Sequence, residues 1–400
     1  MLRGKRVLLG VSASIAAYKA AFLTRLLVKE GAEVRVIMTP ASHTFVTPQT
    51  LSTLSKNAVL TTFFPEDDPN SLWNNHVDLG LWADIMLIAP ASSNTMGKMA
   101  TGICDNLLLA TYMSAKCPVF VAPAMDLDMY LNAATKNNIH ILQQAGCTII
   151  DAEHGELASG LIGQGRMAEP EHIVAYINNY LLARAPLRGK KVLINAGPTY
   201  EKIDAVRFIG NFSTGKMGVA LAQKALQMGA EVHLVLGPVQ LPFDLKGIEE
   251  TRVVSAVEML HATLEAFSDA DITILTAAVA DYRPVTSADK KLKKTDNNLT
   301  IELEPTADIL AACGKLKRNN QLLVGFALET NDELNYAKDK LARKNLDFIV
   351  MNSLRDAGAG FGHDTNKITV VSKAGVVNTT PLLSKNEIAE EIFKVILKKG

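Results

Sequence analysis

This 400-residue chain is poor in cysteine: it has four, Cys104, Cys117, Cys147 and Cys313, and no C-x-x-C pair. That excludes a disulfide scaffold and suits reduced thiols in a reducing compartment, so a cytoplasmic protein is expected. The eight histidines are scattered without metal-ligand spacing, which argues against structural zinc. Charge of one sign is not in excess. Lysine plus arginine is 41 and aspartate plus glutamate is 41. A general nucleic-acid binder would be basic, so no nucleic-acid partner is expected, although a local basic patch is still allowed. Long hydrophobic runs are missing as well. Stretches such as 272–280 fall far short of the roughly 18 apolar residues of a membrane span, so no membrane partner is expected. G-x-G-x-x-G is absent. The Ser213-Thr214-Gly215-Lys216 stretch is followed by Met217, which breaks the phosphate-loop pattern.

What is there is ordinary in bulk: 48% apolar and 20% charged residues, enough for more than one core. The basic start and apolar 7–17 imitate a secretory signal. An internal echo argues against it: Leu2-Arg3-Gly4-Lys5-Arg6-Val7-Leu8 recurs as Leu187-Arg188-Gly189-Lys190-Lys191-Val192-Leu193. A first strand has reason to recur where a second domain begins; a signal does not. Gly31-Ala32-Glu33-Val34 and Gly229-Ala230-Glu231-Val232 form a second echo, each placed where a helix ends and a strand begins. It shows shared architecture, not necessarily duplication. The boundary is placed in 183–189, giving domains 1–186 and 187–400.

Short apolar runs without alternation, separated by helical patterns such as 15–30 and 94–112, indicate strands buried on both faces of a parallel sheet. The runs are 7–9, 34–38, 85–89 and 119–122, then 192–196, 232–236, 272–277, 322–325 and 348–351. The fold class expected is α/β, with two mostly parallel sheets and ligands at the carboxyl ends of the strands. After the first strand, 10–15 (Gly-Val-Ser-Ala-Ser-Ile) opens a helix with small hydroxylic residues. That arrangement suits either a simple N-cap or a monophosphate such as that of FMN. Two later strands run into Pro-Ala loops, at 90–95 and 123–126, which would converge on the same site.

With these motifs in hand, the first half resembles the flavin-dependent cysteine decarboxylases. It shares GVSASIAAYK (10–19), the His76 of HVDL, APASSNTMGKMA (89–100), APAMDLDMY (122–130) and GRMAEP (165–170). Taken with the second half, the whole chain resembles the bifunctional phosphopantothenoylcysteine decarboxylase/phosphopantothenate–cysteine ligases of coenzyme A synthesis. The resemblance implies a flavodoxin-like N-terminal domain with FMN between subunits of a trimer. It assigns Gly10, Ser12, Ser14, Thr39, Ser92, Ser93, Asn94 and Thr95 to FMN, and Met125 and Arg166 to the substrate. A structural arginine is an equal reading of Arg166. The implied chemistry oxidises the substrate thiol to a thioaldehyde, loses CO2 to leave an enethiolate, and returns the hydride from reduced flavin. Histidine is the side chain suited to proton transfer near neutral pH, so His76 is the expected base.

Two positions depart from the family pattern. Asp126 stands where many relatives have Asn. Two like charges ~4 Å apart would cost about 4 kcal/mol at an effective dielectric of 20. Asp126 is therefore expected to carry a proton, turn away or act through water while still orienting the substrate carboxylate. Ser159 stands where many relatives carry the proton-donating Cys of a mobile flap. A serine hydroxyl is the weaker acid, so a water relayed by Ser159 is expected instead. Gly155, Gly160, Gly163 and Gly165 are hinge candidates.

The second half resembles the ligase through GPTYEKIDAVRFIGNFSTGKMG (197–218), TAAVADYRP (276–284), KLKK (291–294), GFALET (325–330), KLARKNLDFIVMN (340–352) and GFGHDTN (360–366). The resemblance implies a Rossmann-like domain that activates the 4′-phosphopantothenate carboxylate with CTP and Mg2+, then joins it to cysteine. It assigns Asp281, Lys291, Asp308, Ile309, Leu310, Phe326, Lys340 and Lys344 to CTP, Lys291 also to the second step, and Asn211 to the acyl-phosphate centre. Metal ligands are left unassigned, and Gly358, Gly360 and Gly362 mark a loop without assigned chemistry. A homo-oligomer built from trimers and dimers is implied. Two rivals stay open: a dehydrogenase with two dinucleotide folds, and a flavoprotein that senses or scaffolds with only the ligase half active.

Overall fold

The computed structural model describes residues 1–64, 73–240, 242–293, 298–329, 333–353 and 363–398. Lys294, Thr330, Gly358, Gly360 and Gly362 of the motifs above lie outside them. The chain divides into two units, Met1–Ala183 and Arg184–Gly400.

In the first unit β1 (Arg6–Val11), β2 (Glu33–Met38), β3 (Val59–Leu60), β4 (Ile85–Ala91), β5 (Val119–Pro123) and β6 (Thr148–Ile149) form one sheet in the order β3-β2-β1-β4-β5-β6. Every pairing is parallel. Leaving out the two-residue edge strand β3, the order is 2-1-3-4-5, that of flavodoxin. Val7, Leu9, Leu87 and Phe120 face one layer of helices, while Leu8, Met86, Ile88 and Val121 face the other. Burial on both faces is why these strands read as unbroken apolar runs.

The helical patterns are shorter than expected. The stretch 15–30 is a single turn, Ile15–Tyr18, followed by a helix, Lys19–Lys29. The stretch 94–112 is two helices, Ser93–Thr101 and Leu107–Ser114. Gly102, at φ 74°, closes the first, and the Asn106 side chain caps the second by accepting from Leu109 N–H. Both stop signals are local. A hairpin of β7 (Glu153–Glu156) and β8 (Ile162–Arg166) precedes the last helix, Pro170–Ala183.

The second unit is built from β9 (Lys191–Ala196), β10 (Tyr200–Lys202), β11 (Phe208–Gly210), β12 (Glu231–Leu236), β13 (Glu249–Arg252), β14 (Ile272–Leu275), β15 (Tyr282–Pro284), β16 (Leu303–Pro305), β17 (Leu322–Glu329), β18 (Phe348–Ser353), β19 (Thr365–Asn366), β20 (Ile368–Ser372), β21 (Gly375–Thr379) and β22 (Leu383–Ser384). Eight of these form a sheet in the order β13-β12-β9-β14-β17-β18-β20-β21. The first six are parallel and the last two antiparallel. The parallel part has the doubly wound order 3-2-1-4-5-6, which makes the unit Rossmann-like with an antiparallel extension.

The sequence echo is a repeated strand entry. Leu2 and Leu187 are both buried, each worth about 1.5–3 kcal/mol of apolar transfer. Gly4 and Gly189 take φ 73° and 72°, a left-handed turn that a side chain resists. Asp84 and Asp271 then accept from the first strand amides, Arg6 N–H and Lys191 N–H, both at 2.9 Å. Residues 185 and 187 positions apart thus solve one problem the same way: how to start a central strand beside its switch-point neighbour.

Candidate functional site

In each unit the sheet reverses winding between its first strand and the next one inserted, β1 with β4 and β9 with β14. A cavity lies at the carboxyl ends of each pair, as this topology requires.

The first cavity measures about 810 Å3, within the range of small-molecule sites. Ala13–Ala16 form one wall and Ser92–Asn94 another; Ala124–Asp126 and the hairpin tip 156–159 complete it. Ser14 and Ser92 are N-cap residues whose hydroxyls accept from Ala16 N–H and Thr95 N–H. The remaining amides of these turns, with the helix dipole of Ser93–Thr101, make an anion-binding wall. Lys19 lies beneath it. Its side chain is 5% exposed, and its Nζ donates to the Met167 carbonyl at 2.9 Å and pairs with Glu169 at 3.0 Å. Arg166 also pairs with Glu169. Burial pushes the Glu169 carboxyl up, but the Lys19 bond and the two cations bring it below its ordinary value. Two cations thus share one carboxylate at the cavity wall, leaving capacity for a further anion.

Asp126 lines the cavity with Oδ1 accepting from Leu127 N–H at 2.6 Å, and Ser159 sits at the exposed hairpin tip. Gly165, at φ 155°, passes so close to the Met125 carbonyl that a Cβ would overlap it. Its own carbonyl accepts from Met125 N–H at 3.0 Å. The hairpin is therefore anchored at its base by backbone and open at its tip.

The second cavity, about 150 Å3, lies between Gly197, the 213–218 loop, Thr276–Ala278, Phe326, Asn352, Asn366 and Lys385. Gly218 opens the space under the helix Lys216–Gln227; a Cβ there would come 2.6 Å from Thr276 Oγ1 and overlap Ala196. Beside it, Lys340 Nζ donates to the Phe326 carbonyl at 3.5 Å, and Lys344 pairs with Asp308 at 2.6 Å. Asp308 also caps the helix Ile309–Leu316 through Ala311 N–H. Burial pushes its carboxyl up, and Lys344, that amide and Lys340 outweigh it, holding it low.

Two family models match the chain: "Flavoprotein" over residues 1–182 and "DNA/pantothenate metabolism flavoprotein C-terminal domain" over 187–399. The Coenzyme A biosynthesis bifunctional protein CoaBC of Bacillus subtilis (strain 168) is 47% identical over 399 residues, covering 99% of this chain and 97% of the relative. The chain belongs to this bifunctional coenzyme A biosynthesis family. Its halves are the family's decarboxylase-type flavoprotein domain and its ligase domain. A cysteine/cysteine sulfinic acid decarboxylase from an unknown prokaryotic organism is 56% identical over 356 residues, 88% of this chain and 99% of the relative. Among solved structures, the C-terminal domain of a CoaBC protein is 45% identical, covering 54% of this chain and 97% of that one, with a TM-score of 0.46.

Within the family framework the expected residues sort clearly. Ser14, Ser92, Ser93, Asn94, Met125, Asp126, Ser159 and Arg166 share the first cavity. Gly10, Ser12, Thr39 and Thr95 do not line it. Gly10 is a packing glycine, where a Cβ would come 2.5 Å from Leu108 Cδ1. Ser12 is fully buried, and its hydroxyl is spent on Pro90 and Ser92. Thr39 and Thr95 are buried.

His76 does not line this cavity either. It begins the helix His76–Trp82 with its ring edge-on to Phe63 and Trp73, centroids 6.1 and 5.5 Å away. Its Nδ1 is buried without a hydrogen-bond partner among the described residues.

In the second unit Phe326 lines the cavity, with Asp308, Lys340 and Lys344 joined next to it; Ile309 is buried and Leu310 half-buried. Asn211 reaches the same loop from outside, donating to the Ala278 and Val279 carbonyls at 3.3 and 2.9 Å. Asp281 and Lys291 are exposed and do not line the cavity. The reason is a neighbouring anchor. Asp204 takes the Val206, Arg207 and Leu292 amides, and Arg207 holds the Leu292 carbonyl, so this loop is tied to the β10–β11 hairpin. Among the described residues no group of three His, Cys, Asp or Glu could hold a metal ion. Sequence reasoning missed Lys19 as a wall cation, because its burial depends on Glu169, 150 positions away.

Proposed function

We propose that the C-terminal unit joins cysteine to 4′-phosphopantothenate using CTP and that the N-terminal unit decarboxylates the product to 4′-phosphopantetheine with FMN. The observation that carries this reading is similarity to a bifunctional coenzyme A protein over 99% of the chain, both cavities included. In the ligase half the substrate carboxylate forms a bond to the α-phosphorus of CTP and pyrophosphate leaves. The cysteine amine then takes the acyl carbon and CMP leaves. Phe326, Asp308, Lys340 and Lys344 hold the nucleotide, Mg2+ enters on the triphosphate, and Asn211 steadies the reacting loop. Asp281 and Lys291 act from the loops that close over it, Lys291 in the second step.

In the decarboxylase half the size of the cavity, the amide wall at Ser14 and Ser92–Asn94, and Lys19 below it fit a phosphate-bearing flavin. Bound there, a flavin supplies a hydride acceptor for the thiol-bearing carbon and a hydride donor afterwards. Arg166 holds an anionic group of the substrate, Asp126 orients its carboxylate through water, and Ser159 relays a proton at the hairpin tip. Ile15, Tyr18 and Met129 line the cavity yet are 60%, 52% and 49% exposed. Such an apolar open side suits closure by a second subunit, and His76 reaches the substrate thiol from that neighbour. The assembly is a trimer through the N-terminal units and a dimer through the C-terminal ones.

The test supplies phosphopantothenate, cysteine, CTP and Mg2+ and follows pyrophosphate and CO2 separately. Both are expected; failure of CTP-dependent pyrophosphate release overturns the ligase reading. Mixing inactive His76→Asn subunits with inactive Asn94→Ala subunits is expected to restore part of the CO2 release; no recovery overturns the shared site. The 56% identity to a cysteine/cysteine sulfinic acid decarboxylase favours one second reading, in which free cysteine or its sulfinic acid is decarboxylated. CO2 from free cysteine, but none from phosphopantothenoylcysteine, decides for it.

A further inference from the structure

The cavity at the tips of β9 and β14 carries a charge imbalance. The described residues lining it include two lysines, Lys216 and Lys385, and no carboxylate. Each lysine is the first residue of a helix, Lys216–Gln227 and Lys385–Leu397, and these helices pack on each other. A helix N-terminus carries about half a positive charge, so a cation there is disfavoured. Two such cations brought together repel as well. Lys385 is 9% exposed. Burial first, and the Lys216 charge second, pull its ammonium below the ordinary lysine value. Asp364 pairs with Lys216 at 2.6 Å and its side chain is 86% exposed. Lys385 Nζ donates to the carbonyl of the exposed His363. On the inner side, buried Asn366 donates to Asn352 at 3.2 Å, so the floor is polar. Among the described residues three charged groups meet here: the buried Lys385, the half-buried Lys216 and, on the solvent side, the Asp364 carboxylate.

We propose that Lys385, with Lys216, forms an anion subsite of the ligase cavity that takes a phosphoryl group of one of its two phosphorylated substrates. This rests on the ligase reading above. The shared chemistry is a phosphate ester or polyphosphate, and the two sources are CTP and the pantothenate 4′-phosphate. An anion there relieves the lysine–lysine repulsion and completes the donor capacity that Asp364 leaves unused. One charge-assisted hydrogen bond to such a group corresponds to about ten- to a hundredfold in affinity.

The test uses the full chain with Lys385→Met, Lys385→Arg and Asp364→Asn. The KM values for CTP and phosphopantothenate are measured separately, with calorimetric binding of inorganic tripolyphosphate and of phosphopantothenate. Lys385→Met is expected to raise one KM, and the matching dissociation constant, about tenfold or more. A shift for CTP and tripolyphosphate assigns the nucleotide; a shift for phosphopantothenate assigns the other source. Lys385→Arg should recover part of the loss. Asp364→Asn, which removes an exposed countercharge, should tighten the same ligand about two- to fivefold, an effect no purely structural lysine produces and one that remains readable if Lys385→Met fails to fold. Dissociation constants within twofold of the parent for all three variants overturn the subsite. Absence of ligation in the parent chain, with tripolyphosphate still bound and sensitive to Lys385, overturns the ligase reading and leaves the subsite standing.

Discussion

Ser12 and Ser92, 80 positions apart, are joined by one hydroxyl: Ser12 Oγ accepts from the Ser92 amide at 2.8 Å while donating to the Pro90 carbonyl at 2.7 Å. The loop after β1 is thereby stitched to the loop after β4, across the point where the winding reverses. The hydroxyl is spent on the protein and fixes the two loops that carry the cavity. Ser12→Ala takes the acceptor from the Ser92 amide and leaves the Pro90 carbonyl with the Ser12 N–H alone, and is expected to lower unfolding free energy by about 1–2 kcal/mol. Ser14→Ala is expected to change stability by less than about 1 kcal/mol. Denaturant titration of both, with the bound flavin measured by absorbance, checks the contrast: Ser12→Ala shifts the midpoint, Ser14→Ala chiefly the flavin content.

Gly218→Ala places a methyl against Ala196 and Thr276 Oγ1 inside the second cavity. Overpacking of this kind costs about 1–3 kcal/mol, and the helix Lys216–Gln227 must shift. Pyrophosphate release should fall at least tenfold, while CO2 release from supplied phosphopantothenoylcysteine stays unchanged. Equal loss of both activities would show that the effect is not local.

The Asp204 carboxyl is held well below its usual range by the Arg207 guanidinium first, and by three backbone amides. A carboxyl depressed in the folded state contributes stability above its unfolded pKa and loses it as pH falls through the folded value. The 200–210 hairpin and the Lys291 loop should therefore show unchanged amide exchange protection between pH 5 and 8. Asp204→Ala should release both segments at neutral pH and lower the ligation kcat severalfold.

His172 Nδ1 meets Glu153 Oε1 at 2.6 Å and ties the base of the β7–β8 hairpin to the helix Pro170–Ala183. The bond to Glu153, then its charge, raises the His172 pKa. Stability from a raised histidine is complete below about pH 6.5, its unfolded value, and is lost as pH rises through the folded one. Hydrogen exchange in 153–166 should accelerate between pH 6 and pH 8.5, beyond the intrinsic chemical rate, and His172→Gln should remove the difference. A hairpin equally protected at both pH values would refute the tie.

The strands and their double burial were legible in the sequence, because a strand covered on both faces must be apolar at consecutive positions, as 85–89 is. The two long helical patterns were read as continuous. Their breaks depend on the left-handed Gly102 and on the Asn106 cap, single-residue events inside an apolar period. The antiparallel addition of β20 and β21 was not legible, since short alternating strands look alike wherever they pair.

By itself the sequence determined which loops carry small, hydroxylic and charged residues, and that two α/β units follow one another, because local patterning and turn chemistry act over a few neighbouring residues. Only the tertiary structure decided which of those side chains reach a cavity. Ser12 turns into the wall, Lys19 is drawn under it by Glu169, His76 is held between Phe63 and Trp73, and Lys291 stays outside on a loop tied to Asp204. Each of those outcomes is set by a partner distant in the chain, and a hydrogen bond or ring contact between distant residues leaves no period or motif at either end.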